Sequence, residues 1–232
     1  LERIRAEKPF LVVGSPPCTM FSRLQVNLNS SKIGKVEWER RRREAEVLLT
    51  FAAVIYKLQV LSGRHFLHEH PAGATSWTHP AIVQLRARDG VGTVVAHQCE
   101  FGLKTSAEGG GWAPAMKPTR FMSSAPAVLE ALSRRCQGGH FHAPLLGGTR
   151  ARDAAVYPPG LCKACPLSPS DAADALLCLV LVGSCLFYIF DYTDLNSSMS
   201  FCLFIIIIST SSLLSCSYVR LFIPLTISYL LT

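Results

Sequence analysis

The sequence predicts an α/β fold: a largely parallel sheet with helices packed on its faces, followed by a hydrophobic, helical tail of different character. Three observations carry that expectation. Short apolar, β-branched runs alternate with stretches of helical periodicity, the pattern that builds strand–helix–strand units. The first two runs each close on proline, at Pro16-Pro17 and at Pro71, where a sheet ladder loses its donor. After Cys165 charged residues almost disappear.

The elements follow in order. Residues 10–14 read as a strand, because Val12 and Val13 favour a pleated, buried setting. Residues 19–34 are Asn/Ser-rich and read as a loop. From Val36 to Leu61 the pattern is helical, with a charged first half (Glu37, Glu39, Arg40 to Glu44). An apolar second half follows, with Val47, Leu48, Phe51, Ala52, Ile55, Leu58 and Val60 recurring at helical spacing. Gly63 ends that helix. Arg64 to His68 is a second strand and Pro80 to Arg88 a helix with proline at its start. Val91 to Ala96 is a third strand. Residues 104–117, rich in Gly and Pro, read as a flexible loop, Phe121 lies in a fourth strand, and Pro126 to Arg135 is a short helix.

Charge is unevenly spread. The formal net charge is +7, yet residues 166–232 contain only Asp171, Asp174, Asp191, Asp194 and Arg220. That leaves 22 basic against 12 acidic side chains in residues 1–165, a balance that suits a polyanionic partner as well as it suits a solvated basic surface. The nine cysteines are scattered over a chain too long for a disulfide scaffold, which points residues 1–165 to a reducing compartment. The chain opens on Leu1 rather than Met, so it is expected to be a fragment or a gene model that lost its start. In the tail, Ala175–Phe190 and Met199–Val219 carry no charge and span 16 and 21 residues. The second is long enough to cross a bilayer and the first is marginal. Two expectations stand for the tail: membrane segments at 175–190 and 199–219, or translated non-coding sequence, since no basic cluster flanks either stretch.

Chemistry concentrates at two strand ends. Cys18 follows Pro16-Pro17 on a stiff loop at the carboxyl end of the first strand, where open α/β sheets place their sites. A thiol there is a nucleophile if its proton can be removed, and otherwise a small buried hydrophobe. Glu69 ends the second strand just before Pro71. If the two strands are neighbours, Cys18 and Glu69 meet at one edge of the sheet. His68 and His70 flank Glu69, but the spacing of a His-Glu-x-x-His zinc helix is absent.

These residues resemble the DNA cytosine-5 methyltransferase family. Gly14-Ser-Pro-Pro-Cys18-Thr-Met-Phe-Ser22 is similar to the catalytic-loop motif Pro-Cys-Gln-x-Phe-Ser, with Thr19 in place of Gln. Glu69-His70-Pro71 looks like the Glu-Asn-Val or Glu-Asn-Pro element, with His70 in place of Asn. Cys99-Glu-Phe-Gly-Leu103 followed by Lys117-Pro-Thr-Arg120-Phe121 is similar to the later Tyr-Gly-x-Pro-Gln-x-Arg segment, with a loop between. The likeness covers roughly residues 9–125, and extends loosely to methyltransferase-like segments of retrotransposon polyproteins. It implies a partial Rossmann-like methyltransferase sheet with flanking helices. By the same likeness Cys18 would attack C6 of a flipped-out cytosine. Glu69 would hold N3 and the exocyclic amine, and Arg120 or Lys117 would steady the nucleotide. Ser22, Arg23 and Lys117 would contact DNA, and S-adenosylmethionine would donate the methyl group. The family's Phe-x-Gly-x-Gly cofactor loop precedes the cysteine strand, whereas only nine residues precede Phe10. The expectation is therefore a truncated catalytic half, inactive alone and nuclear if it acts on DNA.

A third group of residues suggests zinc. Cys136, His140 and His142, with Cys162-x-x-Cys165 further on, offer more than the four ligands of a tetrahedral site. The expected set is Cys136, His140, Cys162 and Cys165. The organisation expected is thus a methyltransferase-like domain over 1–135, a Cys/His-containing region over 136–170 and the hydrophobic tail over 171–232. Two alternatives remain open: a non-catalytic nucleic-acid-binding remnant of a mobile-element polyprotein, or a membrane protein with a soluble N-terminal domain.

Overall fold

A computed structural model describes residues 1–22, 32–146, 149–164, 177–182, 185–190 and 208–209. The chain opens with helix α1 (Glu2–Glu7), which Lys8 closes in a left-handed conformation. Strand β1 (Leu11–Ser15) follows, then Pro16, Pro17 and Cys18, then a single 3-10 turn, Thr19–Phe21. Helix α2 (Lys35–Leu61) leads into β2 (His65–Pro71), a 3-10 turn at Thr75–Thr78 and α3 (Pro80–Arg86). Next come β3 (Gly92–His97), a 3-10 turn at Gln98–Phe101, and a small hairpin of β4 (Lys104–Ser106) and β5 (Trp112–Pro114). Then follow β6 (Pro118–Ser123), α4 (Pro126–Leu132), α5 (Arg150–Asp153) and α6 (Pro159–Ala164). Three further strands, β7 (Leu177–Val182), β8 (Cys185–Phe190) and β9 (Ile208–Ser209), end the described chain.

The architecture is mixed α/β. The central sheet has the order β3-β6-β2-β1 and continues through β7-β8-β9. β1 is parallel to β2 and to β7, while β6 is antiparallel to both β2 and β3. The expectation of a largely parallel sheet is therefore corrected. A parallel neighbour needs a crossover that returns the chain to its starting edge. Between β3 and β6 the chain makes only a 3-10 turn and the β4–β5 hairpin, so it comes back in the opposite direction. The same hairpin replaces the loop expected at 104–117.

Side chains alternate across the sheet as the pleat requires. Val12, Phe66 and Met122 join a core with α2 and α3, built on Leu49, Ile55, Tyr56, Trp77 and Ile82. Leu11, Leu67 and Phe121 face the other way and meet Val128 and Leu132 of α4 and Leu161 and Ala164 of α6. Helices thus cover both faces.

The long helix α2 shows how the sequence specifies its ends. Its first half is laced by Glu37 with Arg40 and Arg41 and by Arg42 with Glu46, at helical i,i+3 and i,i+4 spacing. It ends where Ser62 and Gly63 donate to carbonyls of the last turn, with Gly63 at φ +68, a left-handed position suited to glycine. The buried face matches the one periodicity suggested only in part: Ala52 and Ile55 are buried, and Leu58 and Val60 pack half-buried against the same core. Ala45, Leu49, Ala52, Ala53, Ile55, Tyr56 and Gln59 are buried, while Val47 and Phe51 are exposed. Three alanines let the helix approach the sheet closely. Tyr56 then lies across β1, and a Cβ on Gly14 would sit 1.7 Å from its hydroxyl. Gln59 pins the far end: its Nε2 donates to Pro9 O at 2.7 Å and to His65 O at 2.9 Å.

Of the two apolar tail stretches, residues 177–182 and 185–190 of the first are strands β7 and β8. The second, 199–219, lies outside the described residues except for Ile208 and Ser209. No helix among the described residues is long and apolar enough to cross a membrane.

Candidate functional site

The site forms at the carboxyl ends of β1 and β2. Because these strands are adjacent and parallel, with Gly14 opposite His68, the residues that leave β1 emerge beside Glu69. Ser15, the last residue of β1, donates from Oγ to Glu69 Oε2 at 2.8 Å, and Tyr157 donates from its hydroxyl to the same oxygen at 2.7 Å. The two hydroxyls are themselves 2.9 Å apart. With one proton each, the two hydroxyls satisfy two of these three contacts at a time. Glu69 is buried, and its Oε1 has no hydrogen-bond partner among the described residues.

Cys18 lies within electrostatic reach of Glu69 and Lys117. Burial, reinforced by the Glu69 charge, raises its thiol above the ordinary range, against smaller opposing effects of Lys117 and a backbone hydrogen bond. At neutral pH the thiol keeps its proton, and a base must remove it before it acts as a nucleophile. Lys117 precedes β6 with a left-handed backbone, φ +36, a conformation that costs a non-glycine residue about 1 kcal/mol or more. Its Nζ donates to Ala154 O at 2.6 Å and sits 5.5 Å from the Tyr157 ring centroid. Burial lowers its pKa, while the charges of Glu69 and Cys18 pull it back up.

The cysteine loop is held from the opposite face of β2. His70 Nε2 donates to Pro16 O at 2.8 Å, and Ser76 Oγ donates to His70 Nδ1 at 2.6 Å. These partners assign the neutral Nε2–H tautomer, in accord with burial lowering the His70 pKa. Phe21 is fully buried beside His70, with ring centroids 5.9 Å apart and the Arg42 guanidinium 5.1 Å from its own centroid. The 3-10 turn closes when Phe21 N–H donates to Cys18 O at 3.0 Å. His70, which stands where the resembling motif has Asn, is thus a positioning residue for the loop. Its neighbour His68 is fully buried, with Tyr56 OH 3.2 Å from Nδ1 and no hydrogen-bond partner for Nε2 among the described residues.

Sequence reasoning paired Cys18 with Glu69, and the structure puts them at the ends of adjacent parallel strands, within electrostatic reach of each other. It places Arg120 on the other face of β6, paired with His70 in register, its guanidinium 5.2 Å from the Trp77 ring centroid. Lys117 occupies the Glu69 side instead. Ser22 ends the 3-10 turn, half-buried, and Arg23 lies outside the described residues. Ser15 and Tyr157 were not anticipated. The strand-end position of Ser15 beside Pro16 was a usable signal, whereas nothing local marks Tyr157. For S-adenosylmethionine, none of β1, β2, β3 and β6 runs into a glycine-rich turn, and the Glu108-Gly109-Gly110-Gly111 turn belongs to the separate β4–β5 hairpin. β1 leads into Pro16-Pro17, β2 into Ala72-Gly73-Ala74, β3 into Gln98 and β6 into Ser124-Ala125. Those four strand ends offer no glycine-rich cradle for that cofactor.

A second cluster lies at the end of β3. Cys99, Cys136, His140 and His142 place their ligating atoms within 4.8 Å of one another, close enough to hold a metal ion. This corrects the expected ligand set. Cys162 is exposed on α6, whose Leu161 and Ala164 turn inward, and it is not part of the cluster; Cys165 lies outside the described residues. Its place is taken by Cys99, which the 3-10 turn after β3 carries to Cys136.

Comparison of the chain with family models, with curated proteins and with solved structures finds no match.

Proposed function

We propose that this chain carries the nucleophile and base-holding half of a DNA cytosine-5 methyltransferase-type domain, on a partial Rossmann-like sheet. The observation that carries the reading is that Cys18 and Glu69 stand within electrostatic reach of each other at adjacent parallel strand ends, with Ser15 tying β1 to Glu69 across 2.8 Å. A cytosine presents a donor at its exocyclic amine and an acceptor at N3. The unpartnered Glu69 Oε1 suits the amine, while Oε2 stays anchored by Ser15 and Tyr157.

The chemistry that these residues support is addition to the ring. The Cys18 thiol gives its proton to Glu69, and the sulfur forms a bond to C6. The electron pair of the C5–C6 double bond moves through the conjugated ring to N3, which takes the proton from Glu69. The adduct is an enamine whose C5 exchanges hydrogen with solvent before the sulfur leaves again. A base must be unstacked from a duplex to reach the site, and the basic balance of residues 1–165 suits the phosphate backbone.

The test needs no methyl donor. Oligonucleotides labelled with deuterium at cytosine C5, single-stranded and duplex, are incubated with the full chain. Loss of label with the native chain and its retention with Cys18→Ser are expected. Retention in every case removes the catalytic reading. A second reading, nucleic-acid binding without catalysis, is favoured by the burial that keeps Cys18 protonated. It requires salt-dependent binding of the same oligonucleotides with the label retained.

A further inference from the structure

We infer that Cys99, Cys136, His140 and His142 form a closed, structural zinc site that fastens the irregular segment after α4 to the end of the central sheet. The inference is independent of the chemistry proposed for Cys18.

Geometry is the first argument. Cys136 Sγ lies 3.6 Å from His140 Nε2 and 3.6 Å from His142 Nε2. Zinc holds sulfur at about 2.3 Å and imidazole nitrogen at about 2.0–2.1 Å, so the sulfur–nitrogen edge of its tetrahedron is about 3.6 Å. Those separations are the edges a bound ion needs. Cys99 completes the group within the same 4.8 Å limit. Two thiolates and two imidazoles in a tetrahedral arrangement favour zinc over the hard cations. All four positions are filled by protein, which marks a structural rather than a catalytic centre.

The backbone around Cys136 is built for this arrangement. Gly138 N–H donates to Cys136 Sγ at 3.3 Å, a contact that offsets thiolate charge around a metal. Gly138 and Gly139 have φ of +91 and +85, left-handed conformations that glycine adopts freely. They turn the chain so that His140 and His142 come back to face the sulfur. Cys136 itself is set by the last residue of β3. Its N–H donates to His97 Nδ1 at 3.1 Å, and His97 N–H donates to Arg134 O at 2.9 Å.

The fold also shows why a staple is needed there. Residues 133–146 contain no helix or strand, and Ala143 is the one buried residue among them. Apolar burial therefore does little to order this stretch. A metal joining Cys99 to Cys136, His140 and His142 orders it through ligand bonds, whose free energy is folding free energy.

The experiment measures metal in the purified full chain and then replaces it with cobalt(II). One equivalent of zinc is expected. The cobalt form should show the visible bands of a tetrahedral ion and thiolate charge transfer in the near ultraviolet. Cys136→Ser and His142→Ala should lower retained metal from about one equivalent to near zero, while Cys162→Ser should keep the full equivalent. Because the ligand variants could unfold, the cobalt spectrum of the native chain and the Cys162→Ser control stand independently of them. A native chain that binds neither ion, a Cys99–Cys136 disulfide found by mass, or loss of metal in Cys162→Ser would each overturn the assignment.

Discussion

Ser15 Oγ donates to Glu69 Oε2 across 2.8 Å, tying the last residue of β1 to a buried carboxylate on the adjacent parallel strand. Glu69 is thereby held at the edge where Cys18 emerges, and its charge is felt by the thiol. The consequences of that placement can be measured.

Glu69→Gln keeps the shape and removes the charge that helps to raise the Cys18 thiol. The thiol pKa should fall, so at pH 8 the thiolate fraction and the alkylation rate of Cys18 should rise several-fold. Peptide mass mapping separates Cys18 from Cys99 and Cys162. An unchanged or slower rate would show that the Glu69 charge does not govern the thiol.

Tyr157→Phe deletes one of the two donors to Glu69 Oε2 and leaves Ser15 in place. Hydrogen bonds to a charged group contribute about 1.5–3 kcal/mol, and the exposed part of Tyr157 places the expected loss at the lower end of that range. Chemical denaturation reads it, and a midpoint equal to that of the native chain would mean that the bond contributes nothing net.

Gly14→Ala places a methyl group 1.7 Å from the Tyr56 hydroxyl and 2.7 Å from Cζ. Overpacking of this kind costs about 1–3 kcal/mol. The cost should be smaller in a Tyr56→Phe background, where the nearest atom is gone. Equal costs in both backgrounds would place the strain elsewhere.

His68 and His70 are held neutral, since burial lowers both pKa values below the ordinary 6.5. Tyr56 and Ser76 contact them on the same face of β2, Arg120 pairs with His70 from β6, and the Glu69 charge on the other face and the Pro16 carbonyl only partly offset burial at His70. The unfolded chain binds protons first as pH falls, so stability is full above about 6.5 and declines below it. Melting temperature should therefore drop between pH 7 and pH 5, and His68→Gln should flatten that slope. A slope unchanged in His68→Gln would assign the acid sensitivity to other groups.

Much of this was legible locally. The strand before Pro16-Pro17, the helix stop at Gly63 and the proline start of α3 are decided by a few adjacent residues, because proline and glycine constrain φ wherever they stand. The pairing of Cys18 with Glu69 was also legible, since both residues end apolar runs that a βαβ path places side by side. The buried face of α2 was partly misjudged because hydrophobicity alone ranks Val47 and Phe51 above Ala45 and Ala53. The close approach between Tyr56 and Gly14, which rewards small residues, is a property of the packed pair.

The sequence by itself thus determined the α/β class, the strand-end settings of Cys18 and Glu69 and the basic character of residues 1–165. Only the tertiary structure decided that β6 runs antiparallel, that Tyr157 reaches back to Glu69, that Lys117 rather than Arg120 stands on the Glu69 side, and that Cys99 joins Cys136 in place of Cys162. The physical reason is distance along the chain. Residue type and spacing set backbone preferences over a turn or a strand, whereas these contacts join segments tens of residues apart. Their partners are settled by which path buries both faces of the sheet.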